Sequence, residues 1–276
     1  MTANTLLAQE AKNDGYKLNW YPSVDSTNAV ALKLALESCK NSNGTNLLDK
    51  QWVIAEEQTS GRARRGRSWY SPIGNLYSSL LLTGNIRAET ASNLGFVAGV
   101  SIAEAINQAI AQFGMREVSV SLKWPNDILL DGAKSAGILL ELVRAPHGSP
   151  ILVIGMGINI VLKAEDTGYR TSSLNHSGIM CTPRELFKIL SLFWCLNYRI
   201  WLSDDGKQKI REKWLEHCAG LGQTIQVKIA DKIVSGVFAT IDDEFRCIIR
   251  QPDDQLVKIS SGDVYFGDSG TASAGR

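Results

Sequence analysis

Apolar positions along the chain switch between two periods. The run over 18–24 alternates and predicts a strand. The run over 29–36 keeps helical spacing behind the polar cluster Asp25-Ser26-Thr27-Asn28, which reads as its N-cap. Residues 52–55 and 76–83 predict buried strands. The longest helical periodicity covers 90–113, with Phe96, Val100, Ile102, Ala105, Ile106, Ala109 and Phe113 on one broad face. A strand over 118–122 follows, then a hairpin of 128–130 and 138–143 through an Asp131-Gly132 turn, then a continuous apolar strand over 151–154. Helices are predicted over 183–202, with Pro183 near a first turn, and over 207–218. After Gly220-Leu221-Gly222 the texture changes. Segments 223–229, 233–241, 245–250 and 256–261 are short, alternating and separated by Asp-rich turns, which predicts a small β-barrel or sandwich. The expected division is 1–18 as a disordered N-terminus, 19–220 as the main domain, 221–268 as the β domain and 269–276 as a disordered tail.

Composition narrows the class. A chain of 276 residues can hold one large domain, or a main domain with a satellite, and 44% hydrophobic with 21% charged residues is the balance of an ordinary soluble globular protein. With 29 basic against 28 acidic side chains the net charge is +1, whereas a protein built to bind nucleic acid is more often basic overall. The five cysteines, Cys39, Cys181, Cys195, Cys218 and Cys247, show no C-x-x-C spacing, and an odd count argues against a disulfide framework. A reducing, cytoplasmic setting is expected. His147, His176 and His217 have no metal-ligand spacing, so zinc is not expected. No secretory signal and no apolar run of ~18 residues is seen, so membrane association is not expected either.

The chemistry gathers in a few stretches. Gly61-Arg62-Ala63-Arg64-Arg65-Gly66-Arg67-Ser68-Trp69 packs four guanidinium forks, matched to phosphate and carboxylate oxygens, between glycines and a tryptophan. It reads as an anion-binding loop, or as a solvated basic loop that touches nucleic acid. Its composition predicts mobility until a ligand neutralises it. Ser26 and Thr27 read either as caps only or as a polar ligand site at a helix N-terminus. In Lys123-Trp124-Pro125-Asn126-Asp127 the proline restricts Trp124 and sets a lysine, an amide and a carboxylate at a strand end. A turn with a packed tryptophan is the plainer reading. Lys134 by default is a surface lysine. Gly155-Met156-Gly157 lacks the third glycine and following helix of a dinucleotide fingerprint. Cations and amides at strand ends suit a polyphosphate undergoing transfer. No Walker A motif, kinase signature or Ser-His-Asp set is present. With no candidate nucleophile in these clusters, direct joining of two bound substrates fits better than a covalent enzyme.

Five motifs in register closely resemble the biotin–protein ligases, also called biotin–acetyl-CoA-carboxylase ligases. They are Ser26-Thr27-Asn28, Gln58-Thr59-Ser60 running into the arginine loop, Lys123-Trp124-Pro125-Asn126-Asp127, Lys134-x-x-Gly137-Ile138-Leu139-x-Glu141, and Gly155-x-Gly157-Ile158-Asn159, within a match over residues 19–266. The resemblance implies an α+β fold: a mixed sheet with packed helices, as in class II aminoacyl-tRNA synthetases, plus a C-terminal SH3-like barrel. It also implies two steps. Biotin and MgATP form biotinyl-5′-adenylate and pyrophosphate, then a lysine of the biotin carboxyl carrier protein takes the biotinyl group. Carried over by position, Ser26, Thr27, Asn28 and Gln58 hold biotin, with the backbone of Gly61, Arg62, Ala63 and Arg64, while Gly137 and Ile138 line its slot. Arg64 and Arg67 meet the phosphates, Trp69 covers the adenine and Asn159 reads its edge. Lys134 binds both the biotin carboxylate and the adenylate phosphate. Lys123, Asn126 and Asp127 contact phosphate or Mg²⁺, or orient Lys134. Lys134, Arg64 and Arg67 are the expected catalytic set.

The family pattern carries glycine where this chain has Ala63. If that position needs φ > 0, alanine pays a penalty there, and weaker retention of the adenylate is expected. Bifunctional members of the family carry an N-terminal helix-turn-helix. About 18 residues precede the first predicted strand here, so a monofunctional enzyme without operator DNA is expected. Family members are often dimers. Lipoate ligases and octanoyltransferases of the same fold, and an RNA-binding module, are the rival readings.

Overall fold

The computed structural model describes residues 3–41, 48–83, 86–146, 148–164 and 168–266. His147, residues 42–47 of the polar loop expected before residue 48, and the expected tail at 269–276 lie outside them.

A seven-stranded mixed sheet carries the molecule, in the order β1-β2-β3-β7-β6-β5-β4. Its strands are β1 (Lys17–Val24), β2 (Gln51–Gln58), β3 (Leu76–Leu82), β4 (Val120–Lys123), β5 (Asp127–Leu130), β6 (Ala133–Arg144) and β7 (Pro150–Ile158). Only the β1/β2 pair is parallel; the others are antiparallel. The two-residue period of a strand sends alternate side chains to opposite faces, and both faces here are covered, so the central strands β2, β3 and β7 are mostly apolar. Val53, Leu81, Ile151 and Val153 meet Ala31, Ala35 and Cys39 of helix α2 (Thr27–Asn41) on one side. Trp52, Ile54, Leu80, Leu152 and Ile154 face a larger core on the other.

That larger core is built on α3 (Leu94–Phe113) and α4 (Pro183–Trp201). Among the described residues, α3 with its preceding turn is the one helix long and apolar enough to cross a membrane, yet it is mostly buried inside the protein. The expected apolar face of α3 widens into burial of nearly every residue from Leu94 to Ala109, because α4, α5 (Gly206–Glu216) and the sheet all pack on it. Helix α4 starts on a full capping box: Thr182 Oγ1 accepts from Glu185 N, Glu185 reaches back to Thr182 N, and Pro183 takes the first turn. Trp52 packs edge-on against Phe187 at 5.3 Å and against Trp194 at 6.3 Å, which pins α4 to the sheet.

Two expectations change. The N-terminus is folded rather than frayed: a 3₁₀ turn (Ala3–Leu6) and helix α1 (Gln9–Asn13) bury Leu7 and Ala11, and Arg199 clasps Asp14 at 2.7 and 2.9 Å. Helix α1 is too short for its period to show among polar neighbours. The C-terminal segment forms a five-stranded antiparallel sheet of β8 (Thr224–Ile229), β9 (Lys232–Ile241), β10 (Cys247–Arg250), β11 (Leu256–Ile259) and a strand missed in the sequence, β12 (Asp263–Phe266). Its order is β11-β10-β9-β8-β12.

This sheet does not keep a core to itself. Ile225, Val227, Phe238 and Phe245 join the same apolar cluster as Phe96 and Trp214. The Phe96 and Phe245 rings are 4.5 Å apart, and Trp124 Nε1 donates to Phe245 O at 3.0 Å. Phe238→Ala is therefore expected to cost about 3–5 kcal/mol and to lower one shared denaturation transition. A separate early transition for the C-terminal sheet in calorimetry would contradict the shared core.

Candidate active site

The sheet surface at the middle of β6 and β7 is bare. Gly137 pairs with Gly157 across the two strands, and Gly155 lies opposite Leu139. A Cβ on Gly157 would lie 2.6 Å from Trp69 Nε1, on Gly137 3.1 Å from Trp69 Cζ3, and on Gly155 2.4 Å from Asn28 Oδ1. The G-x-G that fails as a dinucleotide fingerprint is thus the floor of a slot on which the Trp69 ring rests.

Around this floor lies a cavity of about 400 Å³. One end is polar and belongs to the start of α2. Ser26 and Thr27 are each 4% exposed; Thr27 N and Oγ1 donate to Gln58 Oε1 at 2.9 and 3.1 Å, and Gln58 Nε2 donates to Ser71 Oγ. Of the two readings of Ser26 and Thr27, the polar ligand site is the one this geometry fits, since the helix start is itself the cavity wall and Thr27 Oγ1 is engaged with Gln58 and Ser79. Asn28 also borders the cavity, but its amide is fully engaged. Oδ1 accepts from Ser79 Oγ at 2.5 Å, and Nδ2 donates to Glu141 Oε2 at 2.7 Å.

The other end is cationic. The Lys134 ammonium, on β6 rather than the surface, lies 2.7 Å from Asp127 Oδ1 and within 5.5 Å of the Trp69 and Tyr169 ring centres. The contact with Asp127 is close but off the hydrogen-bonding direction, so the buried Oδ1 has no donor. Asn126 receives Arg64 Nη1 on its Oδ1 at 2.6 Å and is itself tied to the β6 backbone at Ile138. Burial, with Arg65 and Arg67 nearby, pulls the Arg64 pKa below its ordinary value, against the pull of Asp263 and Asp127.

The arginine loop closes this space as a folded flap. Trp69 N donates to Gly61 O, Ala63 N donates to Arg67 O, and the tight turn falls at Arg65 and Gly66, with φ of 57° and 73°. Carboxylates of the chain stand where a ligand's charge was expected: Glu141 takes Arg62 at 2.8 Å, while Asp263 on β12 takes Arg65 at 2.6 Å and approaches Arg67 at 3.8 Å.

Most of the predicted site residues meet here. Three do not line this cavity. Gly61 sits behind the flap, where a Cβ would lie 2.4 Å from both Ser71 Oγ and Trp69 O, so close backbone approach explains it. Asn159 is buried with Nδ2 donating to Ser172 O at 3.1 Å, off the cavity wall. Lys123 borders a smaller adjoining cavity of about 190 Å³ beneath the C-terminal sheet. Its ammonium lies 5.5 Å from the Phe266 ring centre, and its pKa is lowered, chiefly by burial. Sequence reasoning missed Asp263, Tyr169 and Ser79. Ser78 and Ser79 inside an otherwise apolar strand were a readable signal; Asp263 was not, because its strand was not seen.

Residues 20–159 match the Biotin/lipoate A/B protein ligase family, and residues 220–267 match the Biotin protein ligase C terminal domain. A biotin–[acetyl-CoA-carboxylase] ligase of Paracoccus denitrificans is 34% identical over 250 residues, covering 88% of this chain and 98% of that one. The chain belongs to the biotin/lipoate A/B protein ligase family. The bifunctional ligase/repressor BirA of Escherichia coli is 29% identical over 89% of this chain and 72% of its own length. A biotin protein ligase from Aquifex aeolicus, solved in complex with biotin and ATP, superposes with a TM-score of 0.73 at 24% identity, covering 91% of this chain and 99% of that one. That likeness supports the expected fold, a mixed sheet with packed helices followed by a small C-terminal β unit.

Ala63, where this family's pattern has glycine, adopts φ −122° and ψ 178°, an extended backbone open to any residue. The basis for a penalty at this position disappears. Ala63→Gly is expected to leave the denaturation midpoint unchanged or to lower stability by about 0.4–1 kcal/mol, and a rise would show that alanine is strained there.

Proposed function

We propose that the chain is an ATP-dependent biotin–protein ligase that forms biotinyl-5′-adenylate and passes the biotinyl group to a lysine of the biotin carboxyl carrier protein of acetyl-CoA carboxylase. The single observation that carries the reading is the slot itself. A bare glycine floor runs from an amide- and hydroxyl-lined end to a cationic end, and Trp69 and the arginine flap close over it.

The polar end, with Ser26, Thr27 and Gln58, suits the ureido ring of biotin, whose N–H and C=O groups need buried partners. The apolar stretch beside Ile138 and the three glycines suits its rings and chain. The biotin carboxylate then reaches Lys134. In the first step a carboxylate oxygen attacks the α-phosphate of ATP and pyrophosphate leaves. Two anions must approach, so Lys134, Arg64 and Arg67 act by neutralising and orienting them. Asn126 holds the Arg64 guanidinium in place. In the second step the acceptor amine attacks the adenylate carbonyl and AMP leaves. The closed flap keeps water from competing.

Magnesium would arrive on the triphosphate. Asp127 would hold it beside phosphate oxygens, where Mg²⁺ takes one or two carboxylates, while its Oδ1 stays paired with Lys134 at 2.7 Å. Among the described residues no group of three His, Cys, Asp or Glu side chains could hold a metal by itself. The cytoplasmic location we propose would supply the ATP pool the reaction needs, and five free cysteines accord with it.

Biotin-dependent pyrophosphate release from ATP tests the reading. Wild type is expected to release pyrophosphate with biotin but not with lipoate or octanoate. Lys134→Ala and Arg64→Ala are each expected to lose roughly 100-fold or more in rate. Release with lipoate or octanoate alone, or undiminished release in both variants, would overturn the assignment.

A further inference from the structure

The motif that ends in Glu141 leaves that carboxylate without a task in the chemistry above. Glu141 lies on β6 opposite Val153 and outside the cavity lining, yet its Oε2 accepts two hydrogen bonds from distant segments. Arg62 Nη2 of the flap donates at 2.8 Å, and Asn28 Nδ2 at the start of α2 donates at 2.7 Å. Asn28 cannot turn away, because its Oδ1 is held by Ser79 Oγ at 2.5 Å over the space that Gly155 leaves open. The next residue back, Thr27, is tied to Gln58, and Gln58 to Ser71, whose Oγ donates to Trp69 O at 2.8 Å. At the flap, Arg62 bridges to Ser68 and Gly61 accepts from Trp69 N. A displacement of Arg62 therefore reaches Trp69 from both sides of the network.

We propose that Glu141 is a positioning residue, a latch that couples the Arg62 end of the arginine flap to the Asn28–Thr27 wall and so sets how long the slot stays closed over its ligand. Arg62 differs from its neighbours in this respect. Arg64 is held by Asn126 and Arg65 by Asp263, both at the cationic end, while Arg62 is held at the opposite end. The Arg62–Glu141 pair is partly exposed, with side chains 43% and 28% accessible. Such pairs add little to global stability, so the effect falls on flap opening rather than on folding.

This inference deepens the ligase reading, and only one arm of its test needs that reading to hold. The full chain is compared with Glu141→Ala, Glu141→Gln, Arg62→Ala and the double variant Arg62→Ala with Glu141→Ala. The first arm follows tryptic cleavage after residues 64–67 without ligand, alongside the chemical-denaturation midpoint. The second follows loss of preformed biotinyl-adenylate and single-turnover pyrophosphate release at saturating substrates. Glu141→Ala is expected to raise cleavage and adenylate loss roughly tenfold, with pyrophosphate release within about threefold; Arg62→Ala, which leaves Asn28 bonded to Glu141, is expected to raise cleavage similarly with the denaturation midpoint unmoved. Glu141→Gln, which keeps the shape and loses the charge, falls between, and the double variant cleaves no faster than the faster of the two single alanine variants. Wild-type cleavage in both Glu141→Ala and Arg62→Ala, additive effects in the double variant, or cleavage in Arg62→Ala that rises only in step with a falling midpoint would each overturn the latch. If wild type forms no adenylate the ligase reading fails, and the tryptic arm still decides the latch.

Discussion

Like-charge repulsion governs the architecture of this site. Arg62, Arg64, Arg67, Lys123, Lys134 and Arg170 border two adjoining cavities. Two such charges 4 Å apart repel by about 4 kcal/mol at an effective dielectric constant of 20. The fold would not hold them together uncompensated. It supplies Asp127 to Lys134, Asp263 to Arg65 and Arg67, Glu141 to Arg62, and the neutral Asn126 to Arg64. Burial depresses the pKa of both Lys123 and Arg64, and neighbouring cations push the same way.

The compensation is partial and uneven, which suits a site that must accept two anions. Lys134 has one carboxylate partner, Asp127, while its ammonium also faces the Trp69 and Tyr169 rings that line the cavity. The counter-charges also come from separate elements: Asp127 from the end of the Trp-Pro turn, Glu141 from the middle of β6, and Asp263 from the last described strand. An arriving triphosphate meets guanidinium groups already oriented by weaker acids, so less side-chain entropy remains to be lost on binding. The apolar seam of Phe96, Trp214 and Phe245 holds the two sheets in the register this arrangement requires.

Much of this was legible in the residues. The strand patterns over 18–24 and 76–83, the helical spacing before Phe113 and the Asp131-Gly132 turn all became the elements they indicate. The arginine loop, the Lys-Trp-Pro-Asn-Asp turn and Lys134 do converge. What sequence could not supply were pairings between residues far apart in the chain. Asn28 with Glu141 and Arg65 with Asp263 are separated by 113 and 198 positions, and nothing local marks either. Helix α1 was hidden by its length. Ala63 was misjudged because a glycine in a related pattern does not reveal whether it serves φ or merely fits; here the left-handed turn falls two residues later, at Arg65.

Asp263 belongs to β12, the last strand to leave the ribosome among those described, while the guanidinium groups it holds lie near residue 65. A nascent chain therefore carries Arg65 and Arg67 without their carboxylate until some two hundred further residues have been made, whereas the partners of Arg62 and Arg64 come earlier. Vectorial synthesis thus separates the pairing of Arg62 and Arg64 from that of Arg65 and Arg67, and an unfinished polypeptide holds these last two guanidinium groups open to any passing polyanion.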